Sequence, residues 1–415
     1  MRTYGAVREL APTEDQSASL CQAVGAVRFA QNWALSFIKE KLENKEEQSW
    51  SSISLHTAWR QHRDSIAPWY TENSKETYQY GCERAANALS NWHKSKKGVR
   101  KGKRVGFPRF RKRGHNDSVG YSAAKLRDCG TLVRIPRTGD VRLKESYYLP
   151  ENAQITGIFV RPRAGRWFIT FRIRDEPWIE PQKKTVLRVI GVDAGVGDQF
   201  AILSSTSAIE NPRLYRRLER RLRLTQKSLS RKQKGSANRR KAIQRVQHVH
   251  YRIDCQRKDF IHKFTTDLVK SHDEIVIEDL NLHGMKSSHN LGKSVSDVAW
   301  AEARRQLTYK SSWYGTTLTV VSQWFPSSKQ CHVCDYINYD LKRSDLFWTC
   351  LSCGTLHDRN WNAALNLIGQ SILAGSSPVS ACGDDVRRKA ASAVVCETGS
   401  VAGDTTLLLA KVSKI

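Results

Sequence analysis

The chain has 415 residues, and 68 Lys and Arg against 40 Asp and Glu leave a formal net charge of +28, with a sequence pI near 9.9. That excess repels itself unless a polyanion neutralises it, so nucleic acid or an anionic membrane surface is the expected partner. Membrane is the weaker choice, because mean hydropathy is −0.54 and no run of about 18 apolar residues exists to span a bilayer. A hydrophobic fraction of 40%, with 12 Trp, 13 Tyr and 12 Phe, is enough for real cores and rules out wholesale disorder; the length suggests two or three domains. The opening MRTYGAVREL lacks the apolar stretch of a secretory leader, and ten scattered cysteines, four of them in two tight pairs, fit metal ligation in a reducing cytoplasm better than a disulfide scaffold.

Thr3 to Leu10 reads as a short strand, and Thr13 with Gln16 forms a capping-box pattern that opens a helix. Leu20, Val24, Val27, Ala30, Ala34 and Phe37 then step by three and four, as do Tyr78, Cys82, Ala85, Leu89 and Trp92, so residues 13 to 93 read as a small helical bundle with ordinary core stripes. From Lys94 to Arg113, eleven of twenty positions are cationic, including Lys101, Lys103, Arg104, Arg109, Arg111, Lys112 and Arg113. Gly98, Gly102, Gly106 and Pro108 forbid a regular helix there, and Phe107 and Phe110 can stack on bases or bury as anchors. Such density reads as phosphate contact, since released counterions offset the cost of crowding like charges. Residues 130 to 175 alternate as strands (TLVRI, VRL, ITGIFVR, RWFITFRIR) and predict a small antiparallel barrel, with the proline-rich 176 to 182 as a linker. The run VLRVIGV reads as a buried strand ending at Asp193. Between Pro212 and Phe260, Leu214, Leu218, Leu222, Thr225 and Leu229, then Ala242, Val246, Val249 and Ile253, predict a helical hairpin turned by Gly235, Ser236 and Asn238. Its outer faces carry Arg216, Arg217, Arg220, Arg221, Arg239, Arg240 and Lys241 with few acids, again a phosphate-binding pattern. Residues from about 371 to 415 lose periodicity and read as a mobile tail, in which Cys382 and Cys396 have no partner at ligand spacing.

The clearest local signal is Cys331-x-x-Cys334, fifteen residues, then Cys350-x-x-Cys353. Two such knuckles present four thiolates to one tetrahedral zinc, and four sulfurs leave no open position for water, so the site reads as structural. Three acids form a weaker pattern. Asp193 and Glu278 each follow an apolar strand, and Asp358 precedes the helix from Asn360 to Ile368, where alone it would be an N-cap. Strand-end carboxylates that converge repel one another unless divalent cations lie between them, as two-metal phosphodiester hydrolysis requires.

The chain resembles the TnpB family of transposon-encoded proteins, relatives of type V CRISPR effectors. The resemblance rests on RFAQNWAL (28–35), KRVGFPRFRKR (103–113), GVDAGV (191–196), IVIEDLNLHGM (275–285), FPSSKQCHVC (325–334) and CLSCGTLHDRNWNAALNL (350–367). It implies an α+β multidomain RNA-guided DNA endonuclease: a wedge-like β-barrel (1–12 and 105–182), a helical recognition domain (13–104), an RNase H-like, RuvC-type α/β nuclease domain (183–325 and 358–370, with the basic hairpin at 212–260) and a zinc-ribbon insert (326–357). It also implies Asp193, Glu278 and Asp358 as catalytic ligands of Mg²⁺, two ions with Mn²⁺ as a substitute, and Cys331, Cys334, Cys350 and Cys353 as ligands of one Zn²⁺. The implied partners are a guide RNA from the element's end and double-stranded target DNA, in a monomeric ribonucleoprotein in the cytoplasm of a prokaryote. Asn360 stands where many relatives have a second Asp, and Asp335 where Gly follows the second cysteine. The competing readings are a nuclease-inactive RNA-guided DNA-binding regulator, which the presence of all three acids opposes, a type V CRISPR effector of the same fold, a zinc-ribbon RNA-binding protein without catalysis, and a transposase that itself moves DNA.

Overall fold

The computed structural model describes residues 2–100, 102–114, 116–122, 125–176, 188–195, 197–205, 207–280, 299–342 and 344–371. Lys101, most of the 176–182 linker and all of the expected tail except Ser371 therefore lie outside the described residues. The chain divides into two compact units, Met1–Pro177 and Trp178–Ile415.

The first unit combines helices with one sheet. Strand β1 (Arg2–Ala11) leads into helix α1 (Glu14–Glu43). The capping box forms as its residue types dictate: the Thr13 hydroxyl accepts from the Gln16 amide at 3.3 Å and the Gln16 side chain accepts from the Thr13 amide at 3.1 Å. Helices α2 (Ser52–Ile66) and α3 (Lys75–Lys96) complete the bundle. The α1 stripe buries Ala30 and Ala34 against Trp59, Tyr78, Cys82, Ala85 and Leu89, while Leu20, Val24 and Val27 of the same helix join the core of the sheet. Five strands beyond the basic loop are β2 (Val119–Tyr121), β3 (Lys125–Arg127), β4 (Leu132–Ile135), β5 (Gly139–Leu143) and β6 (Gln154–Arg163), followed by β7 (Arg166–Asp175). They pair antiparallel in the order β2-β6-β7-β1-β5-β4-β3. The strands expected as a barrel form a row of seven with β2 and β3 at its ends, and Val119, Val133, Val141, Ile158 and Phe171 share one core.

The second unit is a five-stranded mixed sheet. Its strands are β8 (Val189–Ala194), β9 (Gln199–Leu203), β10 (Ala208–Glu210), β11 (Glu274–Glu278) and β12 (Thr317–Val321), in the order β10-β9-β8-β11-β12. The first three pair antiparallel, whereas β11 lies parallel to both β8 and β12. Helices α4 (Leu214–Ser230) and α5 (Ala237–Ser271) form the hairpin, turned at Gly235 with φ +88° and capped by the Ser236 hydroxyl. The hairpin differs from expectation at its far end. Helix α5 runs on past Phe260 and buries Ile261, Phe264 and Leu268 in the core of the sheet, with α6 (Trp300–Tyr314) beside them, so the basic hairpin and a sheet-covering helix are one rod. A two-stranded ribbon, β13 (Phe347–Thr349) and β14 (Leu356–Asp358), runs into α7 (Arg359–Ile368). Among the described residues no helix is long and apolar enough to cross a membrane.

Candidate functional site

Two neighbouring central strands carry the first two acids. Parallel pairing of β8 and β11 sets Ile277 opposite Val192, so the next residues along each strand, Glu278 and Asp193, emerge from the same end of the sheet. The third acid arrives by helix packing. Gly191 has so little room that a Cβ there would lie 2.1 Å from the Ala364 carbonyl, which means that α7 rests its backbone on β8 two residues before Asp193. Only glycine permits that approach. The Ser204 hydroxyl accepts from the Gly191 amide at 3.0 Å, and the Trp361 indole donates to the Ser204 carbonyl at 3.3 Å, holding the helix start against the sheet.

Asp358 is the N-cap of α7: its Oδ1 accepts from the amides of Asn360 and Trp361 at 2.9 and 3.0 Å. Its Oδ2 has no hydrogen bond among the described residues, so the cap role and a ligand role do not compete for one atom. Burial pushes the Asp193 carboxyl up to about 6; the Arg359 guanidinium and the Ala194 backbone pull it down, and the Asp358 charge adds to the rise. Burial, followed by the charge of Asp193, pushes Glu278 up to about 7. These are acids that a nearby cation would ionise. Asn360, at the position of the second Asp of many relatives, accepts from Arg359 Nη2 at 3.0 Å and so steadies the guanidinium whose charge acts on Asp193.

The four cysteines form a tighter set. Their sulfurs all lie within 4.8 Å of one another, with Cys331 to Cys353 at 3.7 Å and Cys334 to Cys350 at 3.5 Å. A tetrahedron with Zn–S near ~2.3 Å needs sulfurs about 3.8 Å apart, so the donor set fits zinc in both chemistry and spacing. Among the described residues it is the only such cluster of ligating groups, and the three carboxylates do not draw that close. The two knuckles are near copies. Asp335 and Gly354 donate amides to the Cys331 and Cys350 carbonyls, both at 2.9 Å, and sit at φ +62° and +69°. Asp335 therefore stands at a left-handed position, which aspartate tolerates better than most residues, and its carboxylate is held by Gln330 Nε2 at 2.5 Å. Burial pushes the Cys331 thiol up to about 12, whereas the Thr355 hydroxyl, then its amide, lowers Cys353 to about 6.

The basic residues divide by role. Arg216, Arg217, Arg220 and Arg240 are exposed on the hairpin, but Arg239 is half-buried and donates to the carbonyls of Leu229 and Lys232 at 3.1 and 3.0 Å, clasping the end of α4. In the loop, Lys103, Arg104, Arg109, Lys112 and Arg113 are exposed. The Arg111 backbone is tied both ways to the Asn32 amide side chain at 2.7 and 3.0 Å. Phe107 packs edge-on against Trp92 at 5.3 Å and anchors the loop, while Phe110 stays 52% exposed. Sequence reasoning missed Gly191, His357, Asn362 and Asn366. The two asparagines, four apart between Ala363, Ala364 and Leu367, carried a legible signal: amides on an apolar helix face must be buried and paired.

Three family profiles match the chain: one described as "Probable transposase" (OrfB_IS605) over residues 169–289, a Cas12f1-like TNB domain over 300–367, and a helix-turn-helix domain over 3–47. A Streptomyces pristinaespiralis protein is 35% identical over 91% of this chain and 90% of its own length. A Mycobacterium tuberculosis H37Rv protein is 32% identical over 86% and 84%, and one from Escherichia coli K12 is 29% identical over 91% and 94%. All three carry the name "Putative RNA-guided DNA endonuclease". With identity at this level along nearly the whole of both chains, this protein belongs to the OrfB_IS605 family, the TnpB family that its motifs resemble.

Proposed function

We propose that the protein is an RNA-guided DNA endonuclease of a transposable element, hydrolysing phosphodiester bonds at Asp193, Glu278 and Asp358. The observation that supports this reading is that the three acids lie toward one end of the sheet: Asp193 and Glu278 end adjacent central strands, and Asp358 opens the helix that Gly191 admits to β8, near enough for its charge to act on Asp193. The strand order β10-β9-β8-β11-β12, antiparallel then parallel, supports an RNase H-like, RuvC-type domain. In this reading Asp193, whose carboxyl feels the charge of Asp358 and acts on Glu278, would hold divalent cations together with those two acids. Magnesium, or manganese in its place, supplies when bound the charge that eases deprotonation of an attacking water and stabilises the leaving 3′ oxygen. Burial favours the protonated forms of Asp193 and Glu278, and a cation held between the acids would favour the ionised forms.

The cysteine tetrad Cys331, Cys334, Cys350 and Cys353 would hold one structural zinc. The exposed arginines of the hairpin and the basic loop bind phosphates of the guide RNA and the target duplex, which positions the strands without reading them. Sequence choice then rests on base pairing beside a short flanking motif, in a monomeric ribonucleoprotein in a prokaryotic cytoplasm. The test is cutting of a duplex complementary to the RNA that copurifies with the protein expressed beside its flanking DNA. Asp193→Ala is expected to keep RNA and DNA binding and lose Mg²⁺-dependent cutting; an Asp193→Ala protein that still cuts overturns the assignment.

A further inference from the structure

Asp358 sits at a junction gripped from both sides. The preceding residue, His357, is 2% exposed, and its Nε2 lies 3.1 Å from Cys331 Sγ. Its ring is fixed by Trp348 at 4.7 Å and His332 at 4.9 Å. On the helix side, Asn362 is 1% exposed. Its Oδ1 accepts from the His332 amide at 3.1 Å and lies 3.0 Å from His332 Nδ1, and its Nδ2 donates to the Gln330 carbonyl at 2.7 Å. One turn on, Asn366 Nδ2 donates to the Ser327 and Gln330 carbonyls at 2.7 and 2.6 Å. These hydrogen bonds all end on the first knuckle or the segment leading into it. The direction in which Asp358 presents its carboxylate is set by the strand before it and the helix after it, and both are clamped to the same turn.

We infer that His357 and Asn362 are positioning residues that fix Asp358 from the zinc knuckle, so that the ribbon sets the geometry of the third carboxylate. The inference rests on the carboxylate reading above. With zinc on the knuckles Cys331 would be a thiolate and His357 Nε2–H would donate to it: a buried thiolate gains from an N–H partner, and such partners orient ligands and tune the metal they hold. Asn362 acts through the His332 amide and ring and the Gln330 carbonyl, and touches no sulfur. Asn366 repeats its contact with the Gln330 carbonyl, so the helix is held at two successive turns. A displaced knuckle would carry the start of α7 with it, and misplacement of a reacting group by about 1 Å can cost 10²-fold in rate.

The experiment uses the full-length ribonucleoprotein with zinc bound. His357→Ala, His357→Gln and Asn362→Ala are compared with the wild type for zinc content, Mn²⁺ affinity by loss of the free-ion EPR signal, and the Mg²⁺ concentration that half-saturates cutting. His357→Ala and Asn362→Ala are each expected to raise the Mg²⁺ midpoint and weaken Mn²⁺ binding about tenfold at full zinc occupancy. His357→Gln should recover most of the effect, because its amide Nε2 can donate to the same sulfur. In Co²⁺-substituted protein, His357→Ala should move the sulfur-to-metal charge-transfer band to longer wavelength, as loss of an N–H donor raises the thiolate's energy, and Asn362→Ala should leave it in place. Unmoved Mn²⁺ affinity and Mg²⁺ midpoints in zinc-loaded Asn362→Ala overturn the inference even if His357→Ala sheds its metal. An Asp358→Ala protein that still cuts sinks the carboxylate reading itself; an inactive Asp358→Ala with unmoved midpoints in the other variants sinks only this inference.

Discussion

Glu278→Gln should make the metal-free protein more stable while abolishing cutting. Burial raises the Glu278 carboxyl from 4.5 to about 7, so the folded protein binds that proton more tightly than the unfolded chain does. Stability from this group is therefore complete below pH 4.5 and is lost as pH rises to about 7, the reverse of a salt-bridged carboxylate. At about 1.4 kcal/mol per pH unit, the ionised side chain costs the fold up to about 3 kcal/mol at pH 8. Glu278 is half-buried rather than sealed, and water and the neighbouring charges reduce that figure, so about 1–3 kcal/mol is expected. The assay is urea unfolding in magnesium-free buffer with zinc retained. At pH 8 Glu278→Gln should need more urea than the wild type, and the difference should shrink as pH falls to about 4.5. Adding Mg²⁺ at pH 8 should stabilise the wild type and not the variant. A Glu278→Gln protein less stable than the wild type at pH 8 without magnesium would refute the view that this carboxylate is held at the expense of the fold.

Gly191→Ala should cost about 1–3 kcal/mol by forcing a methyl group onto the Ala364 carbonyl, and cutting should fall further than stability because α7 carries Asp358; a melting curve and a cleavage rate together check this. Replacing Arg216, Arg217 and Arg220 by Ala should flatten the dependence of log affinity for DNA on log salt by about 0.9 for each phosphate that is no longer neutralised. Arg239→Ala should leave that slope nearly unchanged and instead lower the melting temperature, because its donors serve the Leu229 and Lys232 carbonyls. Stripping zinc should open the small core of Leu341 and Trp348, so limited proteolysis mapped by mass spectrometry should find new cuts between residues 331 and 357 in chelated protein only.

Local signals carried the fold a long way. The capping box at Thr13, the stripes of α1 and α3, the alternating strands from β4 to β7 and the hairpin turn at Gly235 are set by residues within a few positions of one another, and such patterns survive folding. The short strands β2 and β3 escaped because three residues show no period; each exists through its partner, β6 or β4. The end of the hairpin was misjudged for a related reason. The apolar stripe of α5 continues through Ile261, Phe264 and Leu268, but its burying surface changes from α4 to the sheet, and periodicity does not say which neighbour a stripe will meet.

The candidate site divides along the same line. Strand-end acids and paired cysteines announce themselves by residue type and spacing, because their chemistry needs those atoms in that order. What holds them does not. Gly191 reads as one more glycine until the Ala364 carbonyl is found against it, and His357 reads as a spacer before Asp358 until its ring meets Cys331. In the positions 327 to 366 the two kinds of residue are interleaved: the four cysteines, Asp358, and the side chains of His357, Asn362 and Asn366 share one short stretch of chain, and hydrogen bonds run from the first knuckle across to the helix. On the proposed reading, such closeness would make metal binding and presentation of Asp358 parts of one local folding event, since a knuckle left open would leave both His357 and Asn362 without their partners. A ribbon placed in the chain immediately before the last acid is therefore suited to hold that acid.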